Sequence, residues 1–168
     1  MTTFHEDGPL ASAGLSPTRI AIRHAHNAVD AEKLLPLSVL ERLCPSDTPH
    51  RVRQHDVYVS HVIVALVGDS AVGFAAYKMT TAPIRIAHDF WVDPGARVGL
   101  AAVTEALLRR LEFVVRTTEC SRLVVVVPAS TPLRPLLEKS GYRVSPGGAD
   151  LIWCEKRLVE DGPPLESA

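Results

Sequence analysis

Hydrophobic and polar positions change period several times along the chain, and each change marks a structural element. In residues 18–25, "TRIAIRHA", Ile20 and Ile22 alternate with Arg19 and Arg23, which predicts a half-buried strand. Residues 27–44, "NAVDAEKLLPLSVLERLC", take helical spacing, with Asn27 or Asp30 as a cap and Pro36 splitting the run into two short helices. Residues 45–56, "PSDTPHRVRQHD", are polar and predict an exposed loop. Two β-rich runs follow, 57–67 and 71–79, and the Gly68-Asp69-Ser70 turn between them predicts an antiparallel hairpin. Residues 83–92, "PIRIAHDFWV", predict a third strand.

Beyond residue 99 the period lengthens. Leu100, Val103, Leu107, Leu111 and Val114 recur at three- and four-residue steps and define one apolar helix face. Glu105 with Arg109, and Glu112 with Arg116, sit four apart at positions expected to be exposed, a spacing that supports a helix modestly. "RLVVVV", residues 122–127, reads as a strand covered on both faces. Residues 131–141 predict a short helix with Thr131 as cap, Pro132 in its first turn and Gly141 as its stop. Residues 142–158 predict a closing hairpin turning at Pro146-Gly147-Gly148. This order predicts a mixed α/β (α+β) domain over residues 18–158, with a mostly antiparallel central sheet flanked by helices. Residues 1–17 and 159–168 are expected to be a flexible leader and tail.

Composition narrows the field. The chain has 168 residues, 46% hydrophobic and 22% charged, as expected of one soluble globular domain. A net charge of −1 gives no basic field for nucleic acid or an anionic membrane, and no apolar run approaches a membrane span. The N-terminus has no secretory profile, and Cys44, Cys120 and Cys154 fit neither a metal nor a disulfide pattern. A reducing cytoplasm is the expected compartment. The apolar closing strands leave a homodimer open. His24 and His26 share a strand face, but no ligand stands at matching intervals, so no metal is expected.

The candidate chemistry begins at residues 93–102, "DPGARVGLAA". A helix N-terminus exposes unpaired N–H groups and the positive end of its dipole, and neighbouring glycines let an anion approach. Here Gly95 and Gly99 bracket Arg97, and small Ala101 and Ala102 open the helix. These features suit a phosphate, and they equally suit a purely structural turn.

Val92, Pro94, Arg97, Gly99 and Ala101, followed by Glu138, Lys139, Gly141 and Tyr142, resemble the GNAT superfamily of acyl-CoA N-acyltransferases. The resemblance spans residues 19–158. It implies acetyl-CoA (or another acyl-CoA) as cofactor, a primary amine on a small molecule or protein as acceptor, and N-acetyl transfer as the reaction. Arg97, Val98, Gly99, Leu100 and Ala101 would hold the pyrophosphate, Phe90, Trp91 and Val92 the pantetheine arm, and Ser130 a further cofactor contact. His88 falls where relatives place a base, and Asp89 is the alternative if the strand register shifts. The loop departs from the pattern by one residue: either Arg97 takes the usual place in a tighter turn, or Ala96 does. Leu137 stands where many relatives carry a tyrosine proposed to protonate the departing thiolate. Both departures also suit a non-catalytic binding or assembly module on the same fold.

Overall fold

The periodicities resolve into seven strands and five helices in a computed structural model that describes residues 19–44, 54–78 and 83–158. In chain order these are β1 (Ile20–Ala25), α1 (Ala28–Leu34), α2 (Leu37–Leu43), α3 (Gln54–Tyr58), β2 (His61–Val67), β3 (Ser70–Tyr77) and β4 (Ile84–Val92). Then come α4 (Leu100–Arg116), β5 (Arg122–Pro128), α5 (Arg134–Lys139), β6 (Arg143–Gly148) and β7 (Leu151–Arg157). One sheet takes the order β1-β2-β3-β4-β5-β7-β6. Every pairing is antiparallel except β4 with β5, which α4 connects as a crossover.

Each sheet face packs against helices. On one face Val103, Leu107 and Leu111 of α4 meet Ile63, Phe90 and Leu123 in the larger core. On the other, Ala31, Leu35, Leu40 and Val57 from the first three helices cover Val62, Phe74 and Trp91. Asn27 caps α1 by accepting from the Asp30 amide at 2.9 Å, and α2 starts directly after Pro36.

Several expectations need correction. The polar stretch before β2 is not all loop: residues 54–58 form α3, where Val57 is buried and the Tyr58 hydroxyl donates to Leu35 O at 2.7 Å. The strand expected from residue 57 therefore begins at His61. Residues 45–53, the 1–17 leader and the 159–168 tail lie outside the described residues. Thr131 does not cap a helix, since α5 begins at Arg134; its hydroxyl accepts from the Leu133 amide at 3.2 Å. Pro132 consequently precedes the helix, whose first turn holds Pro135. The last hairpin turns at Ala149-Asp150, not at Pro146-Gly147-Gly148, which belong to β6. Glu112 is not an exposed partner of Arg116. It accepts from the Tyr142 hydroxyl and from Lys156 Nζ, both at 2.9 Å, and so ties α4 to the closing strands.

Two tests follow from this packing. At Gly73 a Cβ would lie 2.9 Å from Trp91 O and 3.1 Å from Leu107 and Val103, so Gly73→Ala should cost about 1–3 kcal/mol in chemical denaturation. The second concerns His24, whose Nε2 accepts from Arg110 Nε at 2.7 Å across the β1–α4 contact. Burial, then Arg110, hold its pKa below the ordinary histidine value. Its share of stability is therefore full above about pH 6.5 and is lost as pH falls below that, because the unfolded chain binds the proton more readily. His24→Gln should flatten that part of a stability–pH curve measured by urea unfolding.

Candidate active site

The central feature is a bulge in β4. Asp89 pairs with Ala76 and Ala87 pairs with Tyr77, leaving His88 as the additional residue between them. A bulge turns two successive side chains out of strict alternation. His88 therefore does not share a face with Phe90 and Val92, as alternation predicts: those two face the α4 core. Nor is Asp89 on the face opposite His88. The two carry a direct hydrogen bond, Nδ1–H of His88 to Oδ2 of Asp89 at 2.7 Å. The other ring nitrogen, Nε2, lies 2.9 Å from Oγ of Ser60, and the same hydroxyl lies 2.5 Å from its second acceptor, Asp56 O. Asp89 is 3% exposed and its second oxygen faces the Trp91 indole N–H at 3.4 Å. Ser60 is not among the residues expected from the sequence. It stands 28 residues from His88 inside a run read as strand, and no local pattern marks it.

The same bulge opens the sheet. β4 pairs with β5 from Ile84↔Arg122 to Ala87↔Val125, and the register ends there. From His88 to Val92 the strand keeps β3 on one side and parts from β5 on the other. Phe90, Trp91 and Val92 are themselves buried, so the parted edge offers mainly their backbone. Ser130 is exposed in the turn that follows β5.

At the end of β4 the chain enters the Gly-rich turn. Asp93 organises it: Oδ1 accepts from the Gly95 amide at 2.8 Å and Asp93 O accepts from Ala96 at 3.2 Å. Arg42 of α2 anchors the same carboxylate at 2.6 Å and donates to Ala71 O at 2.6 Å. Gly99 sits at the helix N-cap with φ 87°, a left-handed value that suits glycine, and no side chain caps α4. The amides of Leu100, Ala101 and Ala102 make no hydrogen bond to any described residue. Ala96 packs on the core and Arg97 is exposed, so the turn presents Arg97 as its cation. A pocket of about 710 Å³ lies between this turn and the first two helices, lined in part by Lys33, Arg42, Asp93 and Arg97.

No family model matches the sequence, and no curated protein matches it. Solved structures do match. A protein from Desulfovibrio desulfuricans assigned to the GNAT family of acetyltransferases aligns over 84% of this chain and 100% of its own, with a TM-score of 0.61 at 20% identity. The PaiA N-acetyltransferase from Thermoplasma acidophilum, in complex with coenzyme A, aligns over 83% and 99%, with a TM-score of 0.61 at 16% identity. An IAA acetyltransferase from Bacillus cereus aligns over 83% and 99%, with a TM-score of 0.61 at 19% identity. The chain has the GNAT fold.

The residue that the resemblance sets against a tyrosine is structural in this chain. Leu137 is fully buried in the core beneath α5. Tyr142, the aromatic after Gly141, is 3% exposed, and burial followed by Glu112 pushes its pKa well above the ordinary phenol value. It packs in the core and ties α4 to the closing strands through Glu112. Two of the thiols are held toward the protonated form: burial and then Asp89 push Cys44 upward, and burial takes Cys154 to about 11. Among the described residues no three His, Cys, Asp or Glu side chains gather as metal ligands.

The turn's geometry yields a test. A Cβ at Gly99 meets nothing within 4 Å, so only backbone strain opposes Gly99→Ala. We expect a stability loss of about 1–2 kcal/mol in thermal or urea unfolding. A neutral result would show that the turn relaxes to another conformation.

Proposed function

We propose that the protein is an acyl-CoA-dependent N-acyltransferase that moves an acetyl or other short acyl group to a primary amine. The observation that carries this reading is the parting of β4 from β5 at the His88 bulge, continuous with unpartnered amides at the mouth of α4. A diphosphate fits that mouth: the amides of Leu100 to Ala102 converge with the positive end of a 17-residue helix, and Arg97 stands beside them. The open backbone edge of Phe90 to Val92 suits the amide groups of a pantetheine arm, and Ser130 would contact that arm from the β5 side. Bound there, an acyl-CoA supplies an activated thioester.

The residues of this chain would then handle the amine. An ammonium is not a nucleophile, so the acceptor must lose a proton before it attacks. His88 is our candidate base, with Asp89 hydrogen-bonded to its Nδ1 side. The three cysteines are free thiols, which supports a reducing compartment. No helix among the described residues is long and apolar enough to cross a membrane.

A second reading, a GNAT-fold binding or assembly module without chemistry, draws on one observation: buried Leu137 and the Tyr142–Glu112 tie leave no phenol at the usual position. Calorimetric titration and thermal shift with acetyl-CoA address the cofactor directly. Ligand at a hundredfold excess over its Kd should stabilise the fold by about 2.7 kcal/mol. Arg97→Ala should weaken binding about threefold to tenfold with the melting temperature of the free protein unchanged. No shift at millimolar acetyl-CoA would remove the enzyme reading; binding with no turnover of any amine would favour the module.

A further inference from the structure

The hydrogen-bond chain Asp89–His88–Ser60–Asp56 has a direction, and that direction says which ring nitrogen works and by what route. A carboxylate only accepts, so the 2.7 Å contact with Asp89 requires the proton of a neutral His88 ring on Nδ1. Asp89 is 3% exposed in a strand paired to β3, so it has little freedom to release that contact. The basic lone pair is then on Nε2. That nitrogen meets the Ser60 hydroxyl at 2.9 Å, on a side chain that is 27% exposed.

Ser60 has one hydroxyl proton and two acceptors within reach, His88 Nε2 and Asp56 O. With the ring neutral, O–H points to Nε2. Once Nε2 carries a proton, Nε2–H donates to Oγ and the hydroxyl turns to Asp56 O at 2.5 Å. The protonated ring thus leaves every contact of this chain made, whereas the neutral ring takes the hydroxyl away from Asp56 O; a proton on Nε2 and a hydroxyl rotation separate the two states.

We propose that Asp89 is a positioning residue that fixes the Nδ1–H tautomer of His88, and that the Ser60 hydroxyl takes a direct part, conducting the acceptor's proton to Nε2. In that step an N–H bond of the ammonium breaks as an O–H bond forms on Ser60. The serine's own O–H bond breaks in turn as Nε2–H forms, and the positive charge passes from amine to imidazolium. Ser60 lies between α3 and β2, so the route places the amine on the sheet face that α1 to α3 cover. The relay rests on the acyltransferase reading; the tautomer does not.

The test separates the two. Long-range ¹H–¹⁵N spectra of the full chain labelled in histidine, recorded above the ordinary imidazole range, should show His88 protonated on Nδ1. Asp89→Asn should shift the population toward Nε2–H. A wild-type His88 protonated on Nε2 would overturn the assignment. Ser60→Ala should move the Nε2 resonance while the β4 amides stay in place, and Ser60→Thr, which keeps a hydroxyl, should restore it; an unmoved Nε2 sinks the Ser60 contact. Thiol release from acetyl-CoA, with spermidine and a lysine peptide as probes, then reads the relay. Ser60→Ala should lower kcat about tenfold or more with KM for acetyl-CoA unchanged, and Ser60→Thr should recover most of the loss. Equal kcat in Ser60→Ala would overturn the relay, as would a wild type that turns over neither amine, and the tautomer would still be decided by the spectra.

Discussion

One added residue in β4 sets up the rest of the site. A strand paired on both sides must keep step with both neighbours. With His88 inserted, β4 stays in step with β3 through Asp89 to Val92 and loses step with β5 after Ala87. A bulge also adds local twist, which swings the strand's end away from a neighbour it no longer pairs with. The insertion therefore does two things at once. It brings His88 beside Asp89 and toward Ser60, and it bares a backbone edge over the following residues. Removing the bulge would return His88 to alternation with Phe90 and close the sheet.

The ends of that opening are fixed from opposite directions. Glu112 draws Tyr142 and Lys156 onto α4, holding the closing strands against the helix. Arg42 draws the Asp93 carboxylate toward α2, holding the mouth of the same helix near the first helical layer. Both use a carboxylate that takes two donors, Asp93 with Arg42 and Gly95, Glu112 with Tyr142 and Lys156. A partly buried carboxylate so supplied is well satisfied, and its charge-assisted bonds resist displacement. The mouth itself has no such partner, so it is the polar part of this end still able to receive a ligand.

Periodicity carried most of the architecture. The seven strands, the Pro36 break, the Asn27 cap and the Gly141 stop are all local features, and local chemistry suffices for them. The errors are where tertiary contacts overrule local chemistry. Gly147 looks like a turn glycine, yet a Cβ there would lie 2.3 Å from the Trp153 ring; it is glycine so that an indole can lie over the strand. The turn goes instead to Ala149 and Asp150, both at positive φ. Val57 and Tyr58 have the side chains of strand residues, yet burial and a hydroxyl bond to Leu35 O, rather than propensity, place them in α3. The parallel pairing of β4 with β5 has no local signature at all.

The candidate site divides along the same line. The Gly-rich turn is contiguous in sequence and was readable, as were His88 and Asp89 from their place before Val92 and Pro94. Ser60 and Arg42 were not, because each reaches the site from a separate element. Leu137 shows why the distinction matters for chemistry. The resemblance sets it against a tyrosine of other proteins, but only its complete burial shows that this position serves the core. Tyr142 is likewise committed to Glu112 and holds the scaffold. The bulge holds an imidazole whose two nitrogens both have partners, and if the proposed chemistry is carried there, the identity of those partners, more than the ring itself, would set which nitrogen can take a proton.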